Sequence, residues 1–461
     1  MSKLRFYAAM AVAKGMRLAL KVLGRNATYL PGKAAIKICP DFMGQLQMPK
    51  TVICVTGTNG KTTVSNLVTS ILKSCGYSVT NNSYGSNVQA GVCTALLEDS
   101  TFSGKATRDV AVLEVDERSS LLVYRYIKPD YLLCNNIMRD SIKRNAHTDF
   151  ISFIINKGIP AGTKLILNAD DIICAHLGLE NPDRTYFGIS TEVPEQQVVP
   201  YLRDIVYCPE CGTLLQDEYI RYNHIGRIHC PNCGYGTPKP DFCVTDIDRA
   251  EGSFTVEHDG VVENFKLVND NITNLYNFCA VIALLNKLGI PGEKIHAAFD
   301  ALEIVKSRHE EVSVGDSKLT VIMAKGQNPI AVTSVLNYVA SCGGSHKSLL
   351  IAVDDMYDNV KNTENVSWIF DTDYRFLADP SIDQVVFTGK RCRDYYLRAL
   401  MAGVDEKKLH AVESWQDGVD LVDIAGCKNI YLLYELYRYN EAMNMKNGLL
   451  NRLKGGEHHA D

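Results

Sequence analysis

Short apolar runs rich in β-branched residues alternate along this chain with longer segments whose apolar residues recur at helical spacing. In the first half, these runs are Thr51–Val55, Val110–Val115, Tyr131–Asn135 and Lys164–Asn168. In the second half, they are Leu319–Ala324, Ser348–Val353, Gln384–Thr388, Leu409–Val412 and Asn429–Leu433. Strands that alternate with helices indicate a parallel sheet with crossover helices. The pattern therefore predicts two α/β domains.

The same pattern suggests where the domains begin and end. We predict a helical leader over residues 1–48, a central domain over 49–306 and a C-terminal domain over 307–461. Within the central domain, cysteine, proline, glycine and tyrosine dominate residues 201–240, which indicates an insertion. The charged stretch Ser307–Ser317 lacks strong periodicity and is predicted to be a linker. A helix is predicted over Asn274–Leu288, ended by glycine and proline.

The first 23 residues contain five basic side chains spread through an apolar pattern, which predicts an amphipathic helix. A basic cap before an apolar block, the mark of a secretory signal, is missing. Two interpretations stay open, a helix packed on the body of the protein, which we favour, and a helix lying on a membrane surface.

Composition narrows the class of protein. With 46% hydrophobic and 22% charged residues, the 461-residue chain is typical of globular proteins rather than disordered or collagen-like ones. A net charge of −5 argues against a protein that coats nucleic acid. The apolar runs are too short to span a bilayer. We expect a soluble cytoplasmic protein whose 15 cysteines are reduced or bind metal.

A glycine-rich loop gives the strongest catalytic signal. It follows a strand, opens a helix and has the sequence Gly57, Thr58, Asn59, Gly60, Lys61, Thr62, Thr63. Glycines let backbone N–H groups approach phosphate, and the helix N-terminus attracts negative charge. We predict that these seven residues bind ATP, that Lys61 reaches its β and γ phosphates, and that Thr62 holds Mg²⁺.

Four cysteines in the insertion give the second signal. They form two Cys-x-x-Cys pairs separated by eighteen residues: Cys208, Cys211, Cys230 and Cys233. Four thiolates at this spacing predict a closed tetrahedral Zn²⁺ site, which is structural because no position is left for water. His224 and His229 are interpreted as surface or packing residues. A nucleic-acid-binding ribbon is the alternative, but the near-neutral segment between the pairs favours a brace.

The loop resembles the Gly-Thr-Asn-Gly-Lys-Thr-Thr variant of the Mur ligases and folylpolyglutamate synthetases. Other matching segments are Asn168-Ala-Asp-Asp171, Asn274-x-x-Asn277-x-x-Ala280 and Ser307-Arg308-His309-Glu310. The resemblance implies that Glu114 is a second Mg²⁺ ligand, that Asn274 and Asn277 bind the nucleotide, and that Arg308 holds phosphate. One departure concerns the second metal, because Ser141 stands where many of these ligases have histidine after Asp140.

Combined with the four-cysteine ribbon, the loop resembles the MurT family, the synthetase subunits of lipid II isoglutaminyl synthases. The segment Val366–Asp371 resembles a family motif whose aspartate completes the Cys–His pair of a partner glutaminase. This implies a catalytic role for Asp371, with Asp373 as the alternative, although Asn362–Asn365 departs from the family pattern just upstream. Lys325 keeps the family's lysine and is expected to assist phosphate or acceptor binding.

The resemblance implies a ligase that uses ATP, Mg²⁺ and structural Zn²⁺. It would amidate the α-carboxylate of D-glutamate in lipid II through an acyl phosphate, at the cytoplasmic face of the membrane. Lys61, Glu114 and Asp371 would be its catalytic residues, and a GatD-like glutamine amidotransferase subunit would supply ammonia. Two alternatives stay open: an amino-acid-adding Mur ligase or polyglutamate synthetase, and a zinc-ribbon regulatory protein that binds ATP without chemistry.

Overall fold

The computed structural model describes residues 2–82, 86–139, 147–193, 201–268, 271–302, 309–324, 328–354, 366–435 and 438–456. The chain divides into two compact units. The first comprises Met1–Met138 and His147–Ile304, and the second comprises Arg139–Ala146 and Val305–Asp461. The predicted leader, residues 1–48, is part of the first unit.

The described part of the first unit contains nine α-helices and eleven strands. The helices are α1 Ser2–Val22, α2 Leu30–Ile38, α3 Phe42–Gln45, α4 Lys61–Ser74, α5 Gln89–Glu98, α6 Ser120–Tyr124, α7 Thr148–Gly158, α8 Ile272–Lys287 and α9 Gly292–Asp300. The strands are β1 Thr51–Thr56, β2 Val79–Asn81, β3 Val110–Glu114, β4 Tyr131–Cys134, β5 Lys164–Asn168, β6 Arg184–Ile189, β7 Gln216–Tyr222, β8 Ile225–His229, β9 Phe242–Asp248, β10 Ser253–His258 and β11 Val261–Lys266.

Nine of these strands form one sheet in the order β11-β10-β9-β6-β5-β4-β1-β3-β2 among the described residues. The pairs from β2 to β9 are parallel, and β9, β10 and β11 are antiparallel. The chain order reverses at β1, which lies between β3 and β4. In open parallel sheets, ligands bind at the carboxyl ends of strands beside such a reversal. The glycine-rich loop follows β1 at this position.

The remaining two strands of the unit, β7 and β8, form an antiparallel hairpin within the predicted insertion. Its turn is Asn223-His224, and Asn223 adopts a left-handed φ of 48°, a conformation that asparagine tolerates better than most residues. Beyond the turn, Gly226 N donates a 2.8 Å hydrogen bond to the Asp170 carbonyl oxygen. The hairpin is therefore joined to the turn that follows β5.

The described part of the second unit contains five α-helices and six strands. The helices are α10 Pro329–Ser341, α11 Ser367–Asp371, α12 Cys392–Met401, α13 Trp415–Leu421 and α14 Tyr439–Gly456. The strands are β12 His309–Val314, β13 Ser317–Met323, β14 Lys347–Ala352, β15 Ile382–Thr388, β16 Leu409–Val412 and β17 Asn429–Tyr434. They form one sheet, β12-β13-β17-β14-β15-β16, parallel except for β12. The predicted α/β class is confirmed.

The predicted linker over Ser307–Ser317 is wrong for its described part. Residues His309–Val314 form β12, which pairs antiparallel with β13 at the edge of the sheet. Val312 and Val314 are half-buried, whereas Glu311 and Ser313, which alternate with them, are exposed. An edge strand with one face toward solvent needs few apolar residues, so its charged composition resembles that of a linker.

No helix among the described residues has the length and apolar character needed to cross a membrane.

Candidate active site and metal centre

The glycine-rich loop joins β1 to α4 in a conformation that requires its two glycines. Gly57 has a φ of 120° and Gly60 a φ of 86°, both in the region that side chains with a Cβ avoid. A Cβ on Gly60 would also collide with the side chains of Asn277 and Asn135. In α4 the first intrahelical hydrogen bond is donated by Val64 N to Gly60 O at 2.9 Å. The N–H groups of Thr62 and Thr63 thus lie at a helix N-terminus, where anions bind.

The segment after β4 holds the loop from the side. Asn136 accepts hydrogen bonds from Thr58 N at its carbonyl oxygen (2.8 Å) and from Asn59 N at Oδ1 (2.9 Å). The Thr58 hydroxyl donates to the Met138 carbonyl oxygen at 3.0 Å. These contacts orient the Thr58 and Asn59 N–H groups toward the protein, so the phosphate-facing donors are at the start of α4.

Thr62 and Glu114 form the pair that we predicted as Mg²⁺ ligands. The Thr62 hydroxyl donates to Glu114 Oε2 at 2.8 Å, and Asn87 Nδ2 donates to Oε1 at 3.0 Å. The Asn82 side chain holds the backbone of Glu114 by two hydrogen bonds. Its Nδ2 donates to the Glu114 carbonyl oxygen, and its Oδ1 accepts from Glu114 N. A hydroxyl and a buried carboxylate at the end of β3 provide the oxygen ligands that Mg²⁺ prefers.

Lys61 contacts a carboxylate that sequence reasoning missed. Its Nζ lies 2.7 Å from Glu117 Oε1 and also bonds to the carbonyl oxygens of Gly57 and Thr58. Glu117 is 1% exposed, and burial raises the pKa of its carboxyl while Lys61 opposes that rise. Glu117 follows Glu114 by three residues in a short 3-10 helix, Glu117–Ser119. No local signal distinguishes it from a surface acid.

Asn274 and Asn277 lie in the first turns of α8, close to the loop. Asn277 Oδ1 accepts a 2.9 Å hydrogen bond from Asn135 Nδ2, and Asn277 Nδ2 lies 3.4 Å from Asn274 Oδ1. Among the described residues, the buried Asn135 Oδ1 has no hydrogen-bond partner. Buried acceptors normally have a donor. A nucleotide bound beside the glycine-rich loop could supply the donor that Asn135 Oδ1 lacks. The predicted phosphate ligand Arg308 lies outside the described residues, as do Lys325, Asp140 and Ser141.

The Asn168–Asp171 turn connects the loop to the insertion. Asp171 Oδ2 accepts a 2.6 Å hydrogen bond from Ile137 N, and Asn168 Nδ2 donates to the Asn135 carbonyl oxygen at 2.9 Å. Asp171 Oδ1 lies 3.0 Å from Nε2 of His224. A buried carboxylate thus binds both the segment that holds the glycine-rich loop and the tip of the hairpin.

His224 is a packing residue in the protein interior, one of the two interpretations left open by the sequence, and it lies outside the cysteine cluster. Its side chain is fully buried between Asp171 and Asp204, with Nδ1 3.6 Å from Asp204 Oδ2. Burial alone lowers its pKa, but the two carboxylates outweigh burial and raise the pKa to about 10. The imidazole is therefore protonated at neutral pH.

The four predicted zinc ligands converge. The Sγ atoms of Cys208, Cys211, Cys230 and Cys233 all lie within 4.8 Å of one another. A tetrahedral site with Zn–S bonds of about 2.3 Å places its sulfurs about 3.8 Å apart, so the cluster fits zinc. The glycines that follow the two pairs, Gly212 and Gly234, have φ values of 71° and 77° and form the tight turns predicted after each pair.

Asp371 and Asp373 differ in their surroundings within the second unit. Asp373 is 3% exposed and binds Arg375 through both oxygens, at 2.9 and 2.7 Å. It also caps the 3-10 helix Tyr374–Ala378. Asp371 ends α11, and its Oδ2 lies 3.4 Å from Arg139 Nη1 of the same unit. Asp373 therefore has a structural role within the second unit. The divergent Asn362–Asn365 lies outside the described residues.

Two family models match the sequence. The Mur ligase middle domain matches residues 55–199, and the MurT ligase C-terminal domain matches residues 326–437. Similar solved structures include a pseudomurein peptide ligase type C from Methanothermus fervidus, at 20% identity and a TM-score of 0.66, over 89% of this chain and 81% of that one. A MurF structure from Acinetobacter baumannii aligns with a TM-score of 0.60 at 16% identity, over 90% and 80% of the two chains. These structures confirm the predicted Mur ligase fold.

Curated relatives extend over nearly the whole chain. The lipid II isoglutaminyl synthase (glutamine-hydrolyzing) subunit MurT of Staphylococcus aureus (strain COL) is 30% identical over 408 residues, which cover 87% of this chain and 89% of the relative. The protein of the same name from Streptococcus pneumoniae (strain ATCC BAA-255 / R6) is 28% identical over 421 residues, covering 90% and 91%. The predicted resemblance is confirmed, and the chain belongs to the MurT family.

Proposed function

We propose that this protein is the ATP-dependent synthetase subunit of a lipid II isoglutaminyl synthase in peptidoglycan biosynthesis. Its substrate is the α-carboxylate of D-glutamate in the lipid II stem peptide, which becomes the carboxamide of D-isoglutamine. The observation that carries the proposal is the 2.8 Å pairing of Thr62 with Glu114 beside the glycine-rich loop. It occurs in a chain that aligns with 89% of a MurT subunit.

The chemistry has two steps. A carboxylate oxygen of the substrate attacks the γ-phosphorus of ATP, ADP leaves, and an acyl phosphate forms. Ammonia then attacks the acyl carbon, phosphate leaves, and a proton is lost from nitrogen to give the amide. The start of α4 and Lys61 bind the phosphates, Asn274 and Asn277 bind the nucleoside, and Arg308 contributes to phosphate binding. Mg²⁺ bound by Thr62 and Glu114 would neutralise charge on the transferred phosphoryl group.

The ammonia source is a partner subunit. The curated relatives are named as subunits of a glutamine-hydrolysing enzyme, which supports a GatD-like glutaminase as partner of this chain. Asp371 would orient the imidazole of the partner's Cys–His pair, because a carboxylate hydrogen-bonded to imidazole fixes its tautomer and stabilises its cation. Four thiolates leave no open coordination position, so zinc is structural. The complex would act at the cytoplasmic face of the membrane, where its lipid-linked substrate is presented.

The test is an amidation assay with purified lipid II, ATP and Mg²⁺. One reaction contains ammonium chloride and no partner, and the other contains glutamine and a co-expressed glutaminase subunit. Amidated lipid II with ADP release in the second reaction supports the proposal. The first reaction shows whether free ammonia reaches the acyl phosphate.

The same assay separates the two alternatives. ADP release that requires an amino acid and a UDP-linked peptide, with no amidated lipid II, would indicate an amino-acid-adding Mur ligase. ATP binding without turnover in any reaction would indicate the regulatory protein. Either result would refute the proposed function.

A further inference from the structure

Helix α1 packs on the first unit through one face only. Phe6, Ala9, Met10 and Ala13 on that face are at most 5% exposed, and Phe6 stacks on Phe42 of α3 at a ring distance of 5.0 Å. These positions recur at helical spacing, so they form one side of the helix. The packed-helix interpretation of the sequence describes this side.

The opposite face is apolar and exposed. Leu4 is 80%, Leu18 66% and Val22 79% exposed. The following positions are exposed and share this face, and we call them the α1 stripe: Leu4, Ala8, Ala11, Gly15, Leu18 and Val22. Their spacing of three and four residues keeps the stripe continuous from Leu4 to Val22, nearly the whole length of the helix. An exposed apolar strip of this length marks an interaction surface.

The charge around the α1 stripe is strongly one-sided. Residues 1–40 contain eight lysines and arginines and no acidic residue, whereas the whole chain has a net charge of −5. The rest of the chain therefore carries a net charge of −13. Lys3, Arg5 and Lys21 lie beside the stripe and are exposed, and Lys21 Nζ lies 3.7 Å from Glu98 Oε1. Lys14 and Arg17 are partly buried and contact Ser100 and Glu98. A basic border around an apolar strip is complementary to an anionic lipid surface.

We propose that the α1 stripe docks on an anionic phospholipid bilayer, with α1 parallel to the membrane and its apolar side chains among the acyl chains. The proposal rests on the proposed function, because docking matters for an enzyme whose substrate is held in a membrane. Apolar burial supplies the attachment, and the basic residues select anionic lipid and make binding sensitive to salt. The docked face is opposite the face that packs on α3, so docking leaves the fold of the unit unchanged.

The experiment measures co-sedimentation of the full chain with vesicles of phosphatidylcholine alone and of phosphatidylcholine mixed with phosphatidylglycerol. We expect binding to the mixed vesicles that weakens at high salt. The double substitution Leu18→Glu with Val22→Glu should abolish it. Its matched control, Leu179→Glu with Val262→Glu, changes two apolar residues that are 58% and 67% exposed elsewhere on the unit and should bind like the wild type.

A second variant tests the electrostatic part without touching the apolar side chains. Removing one basic residue near an anionic membrane weakens binding about five-fold, so Lys3→Gln with Arg5→Gln should lower the partition coefficient about twenty-five-fold. Circular dichroism and zinc content establish that each variant is folded. Wild-type protein that does not sediment with mixed vesicles, or stripe variants that bind unchanged, would overturn the proposal.

Failure of docking and failure of the proposed function give different results. On lipid II dissolved in detergent, the stripe variants should amidate at the wild-type rate, and on lipid II in vesicles they should be slower. A wild type that amidates in detergent but ignores vesicles refutes docking alone, and one that binds vesicles but never amidates refutes the function alone. Stripe variants that lose a partner subunit or a second copy in size-exclusion chromatography, with vesicle binding unchanged, would assign the stripe to a protein and overturn the proposal.

Discussion

Single residues decide the chemistry of the nucleotide site, and Glu114 is the most direct test. In Glu114→Gln the remaining oxygen can still accept from Asn87, and the new amide N–H can donate to the Thr62 hydroxyl, but the negative charge that would hold Mg²⁺ is removed. We expect kcat for ATP turnover to fall about a hundred-fold or more, the scale seen when one stabilising group is removed from a transition state. Steady-state ADP release measures the change.

The control for this variant is Glu180→Gln, an exposed acid outside the site. Thermal unfolding and zinc content should match the wild type in both variants, because glutamine has the shape of glutamate and its amide can still hydrogen-bond both neighbours. Full ATP turnover by Glu114→Gln would show that the Glu114 carboxylate is not required for catalysis.

Residue-level predictions from the sequence depended on local motifs. The loop residues, Glu114 and the two asparagines of α8 lie in short patterns, and the structure brings their side chains to one edge of the sheet. Glu117 and His224 lie in no such pattern. Each is buried beside a partner that is distant in sequence. Glu117 pairs with Lys61, 56 residues away, and His224 pairs with Asp171, 53 residues away. Such pairs arise from tertiary packing and leave no periodic signal.

At the scale of elements, the ion pairs of His224 with Asp171 and Asp204 anchor the tip of the β7–β8 hairpin. We therefore predict that the free energy of unfolding depends on pH. The pKa of His224 is about 10 in the folded protein, compared with about 6.5 in the unfolded chain. Its stabilising contribution is therefore complete below about pH 6.5 and is lost as the pH rises through about 10. Urea unfolding should show a loss of about 1 kcal/mol per pH unit between pH 7 and 9.

His224→Gln should remove this part of the pH dependence and destabilise the protein by about 3 kcal/mol, because two buried carboxylates lose their cation. His147→Gln is the matched control, since that imidazole is 60% exposed. An unchanged pH profile in His224→Gln would mean that the buried imidazole is neutral.

The same hairpin predicts the effect of zinc removal. A structural zinc contributes about 10 kcal/mol to the folding of isolated zinc domains. The first cysteine pair precedes β7 in sequence, and the second pair begins directly after β8. Chelation, or the substitution Cys233→Ser, should lower Tm by several degrees and weaken ATP binding measured by calorimetry. Cys75→Ser, a partly exposed cysteine outside the cluster, should leave both quantities unchanged. If zinc-free protein binds ATP with full affinity, nucleotide binding does not depend on the zinc ribbon.

Elements differ in how well sequence predicts them. The strands named from the sequence agree with the structure to within about two residues, and Lys164–Asn168 and Leu409–Val412 agree at both ends. Their short apolar runs make them visible. β12 was missed because it is mostly polar and charged, and its pairing with β13 depends on a neighbouring strand rather than on its own composition.

At the scale of the whole molecule, the proposed function makes activity with glutamine depend on a second chain, and Asp371 tests that proposal. Asp371→Asn should lower glutamine-dependent amidation about a hundred-fold or more, since loss of the orienting carboxylate in comparable triads costs up to about 10⁴ in kcat. Amidation driven by ammonium chloride should not change. The ratio of the two rates in the reconstituted complex is the measurement.

Asp373→Asn distinguishes the two candidate aspartates. It removes the negative charge and one of the two oxygens that accept from Arg375, so we expect a lower Tm and an unchanged ratio of glutamine-driven to ammonia-driven rates. The reverse result, with the ratio lost in Asp373→Asn and kept in Asp371→Asn, would transfer the role to Asp373.

The contacts of Asp171 have a consequence for how the first unit opens. The Asp171 carboxylate accepts a hydrogen bond from the amide of Ile137 and contacts His224, and the carbonyl of the preceding residue, Asp170, accepts from the amide of Gly226. The hairpin tip cannot leave the turn without exposing the segment that supports the glycine-rich loop. In native-state hydrogen exchange, the amides of Ile137 and Gly226 should therefore share one opening free energy and respond together when nucleotide or zinc is added.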